Sequence, residues 1–287
     1  MSIGSVMSVI NTSLNDLNRA QTSQAESIKR IATGSKYYSP AKGASEYSIV
    51  QRMYNNIGSV TQSNSNTQTV NAMLNVAAGA VSNTINSLSS LKQTLISAAN
   101  GTNSNSDIAA LQESVNQTLS QIDSNAQVTY NGQSLLDGSQ SIQVASDSGY
   151  ETVNLGDMST AGLGLTDSEG NSNITLGDLS DLGTAIDTVD SALNTALDQA
   201  TSIGAAQKGL EYQSANYTTM EENLYEAVST IDDTDIAAES VNNASANTQS
   251  QVALWAVKQG MQALHKEVGS LGELYVHNPN AAYNLLK

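Results

Sequence analysis

The chain has 287 residues and contains no cysteine, no phenylalanine, two prolines, one tryptophan and eleven lysines and arginines. Without cysteine there is no thiol nucleophile, no thiolate metal site and no disulfide framework. With aromatics at only 4% of residues, the large rings that supply much of a compact core's burial are missing. Burial must then come from many small apolar faces along extended elements. The few basic residues face 27 Asp and Glu, a formal charge of −16. Such a surface repels nucleic-acid phosphates and anionic lipid heads, so neither is expected as a partner. No apolar run approaches the ~20 residues of a membrane-spanning helix, and no membrane insertion is expected. Residues Met1 to Ile10 lack the basic start and apolar core of a secretory signal peptide, so export would use a route that ignores one.

Catalytic candidates are few. His265 and His277 are the only histidines, and neither has a sequence neighbour suited to orient it or to act as nucleophile. His265-Lys266-Glu267 does not supply the H-E-x-x-H spacing of a zinc protease. Asp232, Asp233 and Asp235 lack the glycine and terminal glutamate of a calcium loop and read as solvated acids at a helix junction. No enzyme activity, metal or cofactor is expected.

What the chain does have is long-range periodicity. Near the N-terminus Ile10, Leu14, Leu17, Ile28 and Ile31 follow an alternating 4–3 spacing, with Gln21 and Gln24 in the middle positions. That predicts one helix whose seam is partly polar. Gly34 and Ser39-Pro40 end it in a loop over 36–43. A second helix is predicted over 45–99, where Leu74, Val81, Leu88 and Leu95 fall seven apart beside the row Val70, Ala77, Thr84 and Leu91. Asn100-Gly101 stops it, and Ser106-Asp107 is expected to cap a third helix bearing Ile108, Leu111, Val115, Leu119 and Ile122 on one face. Asn131-Gly132 and Asp137-Gly138 mark turns. From 141 to about 175 the period changes: Ile142/Val144 and Val153/Leu155 alternate around residues 146–149, which predicts a β-hairpin. Asp167 to Asn173 is a second polar loop. A long helix over 179–231 then repeats Val189, Ala196, Ile203, Leu210, Tyr217, Leu224 and Ile231 every seven residues, the mark of coiled-coil-like packing. A last helix carries Leu254, Val257, Met261, Leu264, Val268 and Leu271, and the tail breaks at His277-Asn278-Pro279-Asn280.

The expected fold is mainly α: a long antiparallel, coiled-coil-like bundle of the N- and C-terminal halves, with a small β-hairpin region at its tip. The expected segments are 1–44, 45–140, 141–178, 179–235 and 236–287. Terminal helices of this polarity are marginal alone and are expected to order against partner chains.

Four motifs, in order along the chain, carry a resemblance. The segment 88–107, LSSLKQTLISAANGTNSNSD, resembles the A-A-N-G-T-N-S region of bacterial flagellins, and YNGQSLLDG at 130–138 resembles that family's N-G-x-x-L-L-D-G turn. RIATGSKYYSPAKGASEYSIVQRM at 30–53 and TIDDTDIAAES at 230–240 resemble two further family segments. The resemblance implies a self-polymerising filament subunit of minimal size, exported by the flagellar type III apparatus. The filament cap, hook-junction proteins and an export chaperone would be its partners, and motility its role. It places Ile10, Leu14, Leu17, Leu254, Val257, Met261 and Leu264 in an inner tube. Leu74, Val81, Leu88, Leu95, Leu210, Tyr217 and Leu224 fall in a surrounding shell. Lys42 and Gly43 stand where the family has paired acids, and the C-terminal stretch, with Trp255 and Lys266, runs longer than usual. Ser90 and Thr94 replace an Arg and a Leu of the family's immune-recognition segment while Glu113 is kept, so weak or absent signalling through the flagellin-sensing Toll-like receptor is expected. Ser146, Ser148, Ser159, Thr160, Ser168 and Ser172 are open candidates for O-glycosylation. A hook–filament junction protein is the alternative, disfavoured because junction proteins carry a Phe-containing turn where this chain has YNGQSLLDG. A surface adhesin ranks last, for want of clustered aromatics.

Overall fold

The computed structural model describes residues 3–146, 149–167, 169–177 and 179–277. Its order is α1 (Ile3–Thr33), a 3₁₀ turn (Pro40–Lys42), α2 (Ala44–Ala98), α3 (Asn105–Ala126), β1 (Thr129–Tyr130), β2 (Gln133–Ser134), β3 (Ser141–Ser146), β4 (Gly149–Asn154), α4 (Leu179–Asp232) and α5 (Ile236–His277). The chain forms two compact units: Met1–Tyr54 with Glu226–Lys287, and Asn55–Tyr225.

In the 55–225 unit the seven-residue rows become the core. Leu74, Ala77, Val81, Thr84, Leu88, Leu91 and Leu95 of α2 are buried, as are Val189, Ala196, Ile203 and Leu210 of α4 and Val115, Leu119 and Ile122 of α3. Truncating one such leucine to alanine costs roughly 2–5 kcal/mol. Polar links join α2 and α4 beside the core: Gln207 Nε2 to Asn75 Oδ1 at 2.7 Å, Ser214 Oγ to Asn64 Oδ1 at 2.6 Å, and Lys92 to Asp190 at 2.5 Å. The numbers rise on one side as they fall on the other, so the helices run antiparallel.

α3 begins with a reciprocal cap. Asp107 N–H donates to Ser104 Oγ, and Ser104 N–H donates to Asp107 Oδ2 at 2.8 Å. The capping residue is therefore Ser104, two positions before the expected Ser106, and Asp107 closes the box from the third helical position. The carboxyl of Asp107 lies below its ordinary pKa because the Ser104 hydroxyl and backbone N–H both donate to it. Asn131 and Gly132 adopt φ 50° and 78°, which closes the short β1–β2 hairpin and leaves Leu135 and Leu136 buried. That pairing follows from the Asn-Gly turn, although the alternation of apolar residues predicts strands only after 141. β3 and β4 pair antiparallel with Ile142 opposite Val153, as the alternation predicts.

The segment after β4 is folded down by its own apolar residues, with Met158, Leu163, Leu165, Ile174 and Leu176 buried. Asp123 of α3 receives Thr160 N–H at 2.8 Å and Thr160 Oγ1 at 2.9 Å. Thr160 is buried by this contact, which removes it from the glycan candidates. Gln112 bridges to the same segment, donating to Ile174 O and accepting from Leu176 N–H. Asp167 accepts from Glu169 and Asn171 N–H and organises the 167–173 loop.

Candidate assembly surface

The other unit is built on the α1–α5 pair. Along α1 the residues facing α5 are Val6, Ile10, Ser13, Ala20 and Ser27, buried, with Leu17, Gln24 and Ile31 half-buried between them. Along α5 they are Glu239, Ala246, Ser250, Ala253 and Gly260, buried, with Asn243, Val257 and Leu264 half-buried. Both rows keep a strict 4–3 spacing. Ile10 meets Gly260 and Arg30 meets Glu239, so these helices are also antiparallel.

This corrects the expected α1 seam. Ile10, Leu17, Gln24 and Ile31 lie on it, but Leu14, Gln21 and Ile28 are exposed. Their place is taken by Val6, Ser13, Ala20 and Ser27. The physical reason is closeness: a Cβ on Gly260 would stand 2.6 Å from Ile10 Cγ1, so the pair admits small residues where larger ones would hold it apart. The same shift applies on α5, where Val257 and Leu264 touch the seam while Leu254 and Met261 are 52% and 60% exposed. The signal that would have found the seam is the run Ser13, Ala20, Ser27 at seven-residue spacing.

Displaced from the seam, the larger apolar residues form outward faces. Met7, Leu14 and Ile28 project from α1, and Val252, Leu254, Trp255, Met261 and Val268 from α5. Trp255 is 63% exposed and lines a shallow groove with Leu254, Val257, Lys258, Met261 and His265. His265 is exposed, and no three metal-ligating side chains cluster among the described residues. Leu271 and His277 have side chains outside the described set, and residues 278–280 lie outside it altogether.

Hydrogen bonds lock the end of this pair. Asp232, expected to be solvated, is buried and accepts from Ser35 Oγ at 2.7 Å and Tyr37 N–H at 2.9 Å. Around it, Lys36 N–H donates to Asp232 O and Thr234 N–H donates to Gly34 O. Asp233 is exposed and bonded by Ser229, and Asp235 Oδ1 accepts from Ala238 N–H at the start of α5. Glu239 is buried, and its carboxyl is held below the usual range first by the Ser27 hydroxyl, then by Asn242 and Arg30. Lys42 forms an ion pair with Glu26, which lowers the pKa of Glu26. Gly43 lies against the Tyr37 ring, 2.6 Å from where a Cβ would stand.

The remaining predicted positions fall in the 55–225 unit. Leu74, Val81, Leu88, Leu95 and Leu210 are buried, and Tyr217 and Leu224 are half-buried. Ser90 and Glu113 are exposed, and the Thr94 hydroxyl folds back onto Ser90 O at 3.1 Å.

Two family models match the chain: the bacterial flagellin N-terminal helical region over residues 5–141, and the bacterial flagellin C-terminal helical region over 186–268. The chain belongs to the bacterial flagellin family. Among similar flagellins, phase 1 flagellin of Salmonella naestved is 31% identical over 155 residues, covering 53% of this chain and 31% of that protein, and flagellin of Salmonella dublin gives the same figures. The match thus spans about a third of these relatives' length. A putative flagellar hook-associated protein from Vibrio parahaemolyticus, 12% identical, superimposes with a TM-score of 0.58 over 67% of this chain and all of that one. At that identity the likeness concerns the fold. The flagellin is therefore a structural protein of the bacterial flagellum, in its extracellular part, and not an enzyme. Among the described residues no helix is long and apolar enough to cross a membrane.

Proposed function

We propose that this flagellin polymerises into the flagellar filament that drives motility, after export through the flagellar type III apparatus. The observation that carries the reading is the pair of outward apolar faces on α1 and α5. A monomer gains nothing from exposing Leu254, Trp255 and Met261 side by side along one groove, with Leu14 and Ile28 exposed on α1, whereas an apolar patch of this kind marks a protein contact. Contacts of one face of a subunit with a different face of the next are head-to-tail, and they generate an open helix when the rotation does not close. The filament cap, the hook-junction proteins and an export chaperone would share these faces. With Ser90 exposed on α2 and the Thr94 hydroxyl turned back onto Ser90 O, purified monomer should give little signal in a Toll-like-receptor reporter line, and a strong response would overturn this expectation.

Negative-stain electron microscopy of purified chain, seeded with short filament fragments, tests the main reading. Long tubes of uniform width support it. Persistent monomers under conditions that extend other flagellins move the chain to the hook–filament junction, the second reading, which the fold shared with the hook-associated protein keeps in view.

A further inference from the structure

The charge of this chain is unevenly placed. Residues 55–225 carry seventeen Asp and Glu against only Lys92 and Lys208, whereas six of the eleven basic residues, Arg19, Lys29, Arg30, Lys36, Lys42 and Arg52, lie between 19 and 52. Subunits of charge −16 packed side by side repel one another unless the few positive surfaces are set against negative ones.

One place in the fold collects that positive charge. Between α1 and the loop carrying the 3₁₀ turn runs a polar groove lined by Asn18, Thr22, Glu26, Lys29, Tyr38 and Lys42. Glu26 serves two cations, Lys42 directly and Arg30 at 4.0 Å. Lys29 is exposed, with its ammonium 5.8 Å from the centroid of the Tyr38 ring. The groove therefore presents the exposed Lys29 ammonium, steadied near the Tyr38 ring, beside the Asn18 amide, and both can donate to a carboxylate. A complementary surface exists on the same chain. From 179 to 207 α4 carries no Lys or Arg, and its exposed Asp187 and Asp198 are eleven residues apart, three turns, and so share one face.

We propose that this groove docks the acidic 55–225 unit of a second copy of the chain, with Asp187 and Asp198 of the neighbour as the leading carboxylates. The proposal rests on the filament reading and names the electrostatic contact that sets subunit against subunit. The apolar faces hold the polymer, and this contact orients the incoming subunit and makes growth dependent on salt.

The test is carbodiimide cross-linking of filaments grown from equal parts of ¹⁵N-labelled and unlabelled full-length chain. The internal Lys42–Glu26 link serves as the reference in monomer and filament alike. Mixed-isotope links from Lys29 or Lys42 to carboxylates within 55–225 are expected. Filaments that form with only internal links overturn the proposal while leaving the filament reading intact; wild-type chain that never extends seeds overturns both. Lys29→Glu should raise the critical concentration for growth about tenfold at low salt, Lys29→Gln should do so less, and the gap should close toward 0.5 M salt, where the screening length is about 4 Å. Equal critical concentrations at every salt overturn it. So does Lys29-dependent binding of monomer to phosphatidylglycerol vesicles without intersubunit links, which would assign the groove to an anionic lipid surface.

Discussion

Replacing Gly260 with alanine separates two effects that usually travel together. In a helix interior Gly→Ala gains about 1 kcal/mol from propensity. At Gly260 the new methyl would stand 2.6 Å from Ile10 Cγ1, roughly 1 Å inside the 3.5–4.0 Å at which carbon atoms rest. Either Ile10 leaves its rotamer or α1 and α5 move apart, and overpacking of this kind costs about 1–3 kcal/mol. The net is a loss of about 1 kcal/mol. At Gly79, exposed in the middle of α2 with nothing within 4 Å, the same change should show only the gain of about 1 kcal/mol. The difference of about 2 kcal/mol is roughly thirtyfold in a local opening constant, readable by hydrogen exchange of the amides around each site. Ile10→Ala together with Gly260→Ala should recover most of the clash, giving a coupling energy of about 1–3 kcal/mol. If Gly260→Ala protects its helix as well as Gly79→Ala does, with or without Ile10, the close-packed seam is wrong.

Other consequences follow from single contacts. Asp123→Ala leaves the buried Thr160 N–H and hydroxyl without their acceptor and should cost about 2–3 kcal/mol in denaturant unfolding of the 55–225 unit, with Thr160→Val costing less. Ser104→Ala removes half of the α3 capping box and should cost about 1 kcal/mol in the same assay. Glu239 and Glu26 keep their charge to lower pH in the folded chain than the ordinary 4.5. Their contribution is complete above that value and is lost as pH falls through the lowered folded values. Hydrogen-exchange protection at the α1–α5 pair should therefore decline on acidification below about 4.5, and Glu239→Gln should flatten that decline while lowering protection at neutral pH. Met261→Asp, on the outward face, should abolish seeded growth while leaving pair protection intact, whereas Leu264→Asp, half-buried at the seam, should reduce both.

The shell helices were readable because Leu, Val and Ile dominate their rows at an unbroken seven-residue period, and the repeat carries the smaller or polar members, Ala77, Thr84 and Ala196, onto the buried face with them. The β3–β4 hairpin was readable from its change of period. The α1–α5 seam was only half readable. A reader who ranks residues by apolar bulk selects Leu14, Ile28, Leu254 and Met261, but a close helix pair buries Ser13, Ala20, Ala253 and Gly260 and turns the bulk outward. Bulk on a helix of an assembling protein answers to two interfaces, and the sequence does not say which residue serves which. The burial of Asp232 is not legible locally for a related reason: its partners, Ser35 and Tyr37, are nearly two hundred residues away in the chain. Thr160 likewise depends on Asp123, which no local pattern announces.

Trp255 is the single tryptophan of the chain and sits on the outward face of α5, 63% exposed beside Leu254 and Met261. Its fluorescence, followed as seeded filaments grow, reports directly on whether that face is a subunit contact. A blue shift with loss of acrylamide quenching, in step with polymer mass, is the predicted result. Filaments whose Trp255 remains red-shifted and quenchable as in the monomer would place assembly on some other surface and contradict the account.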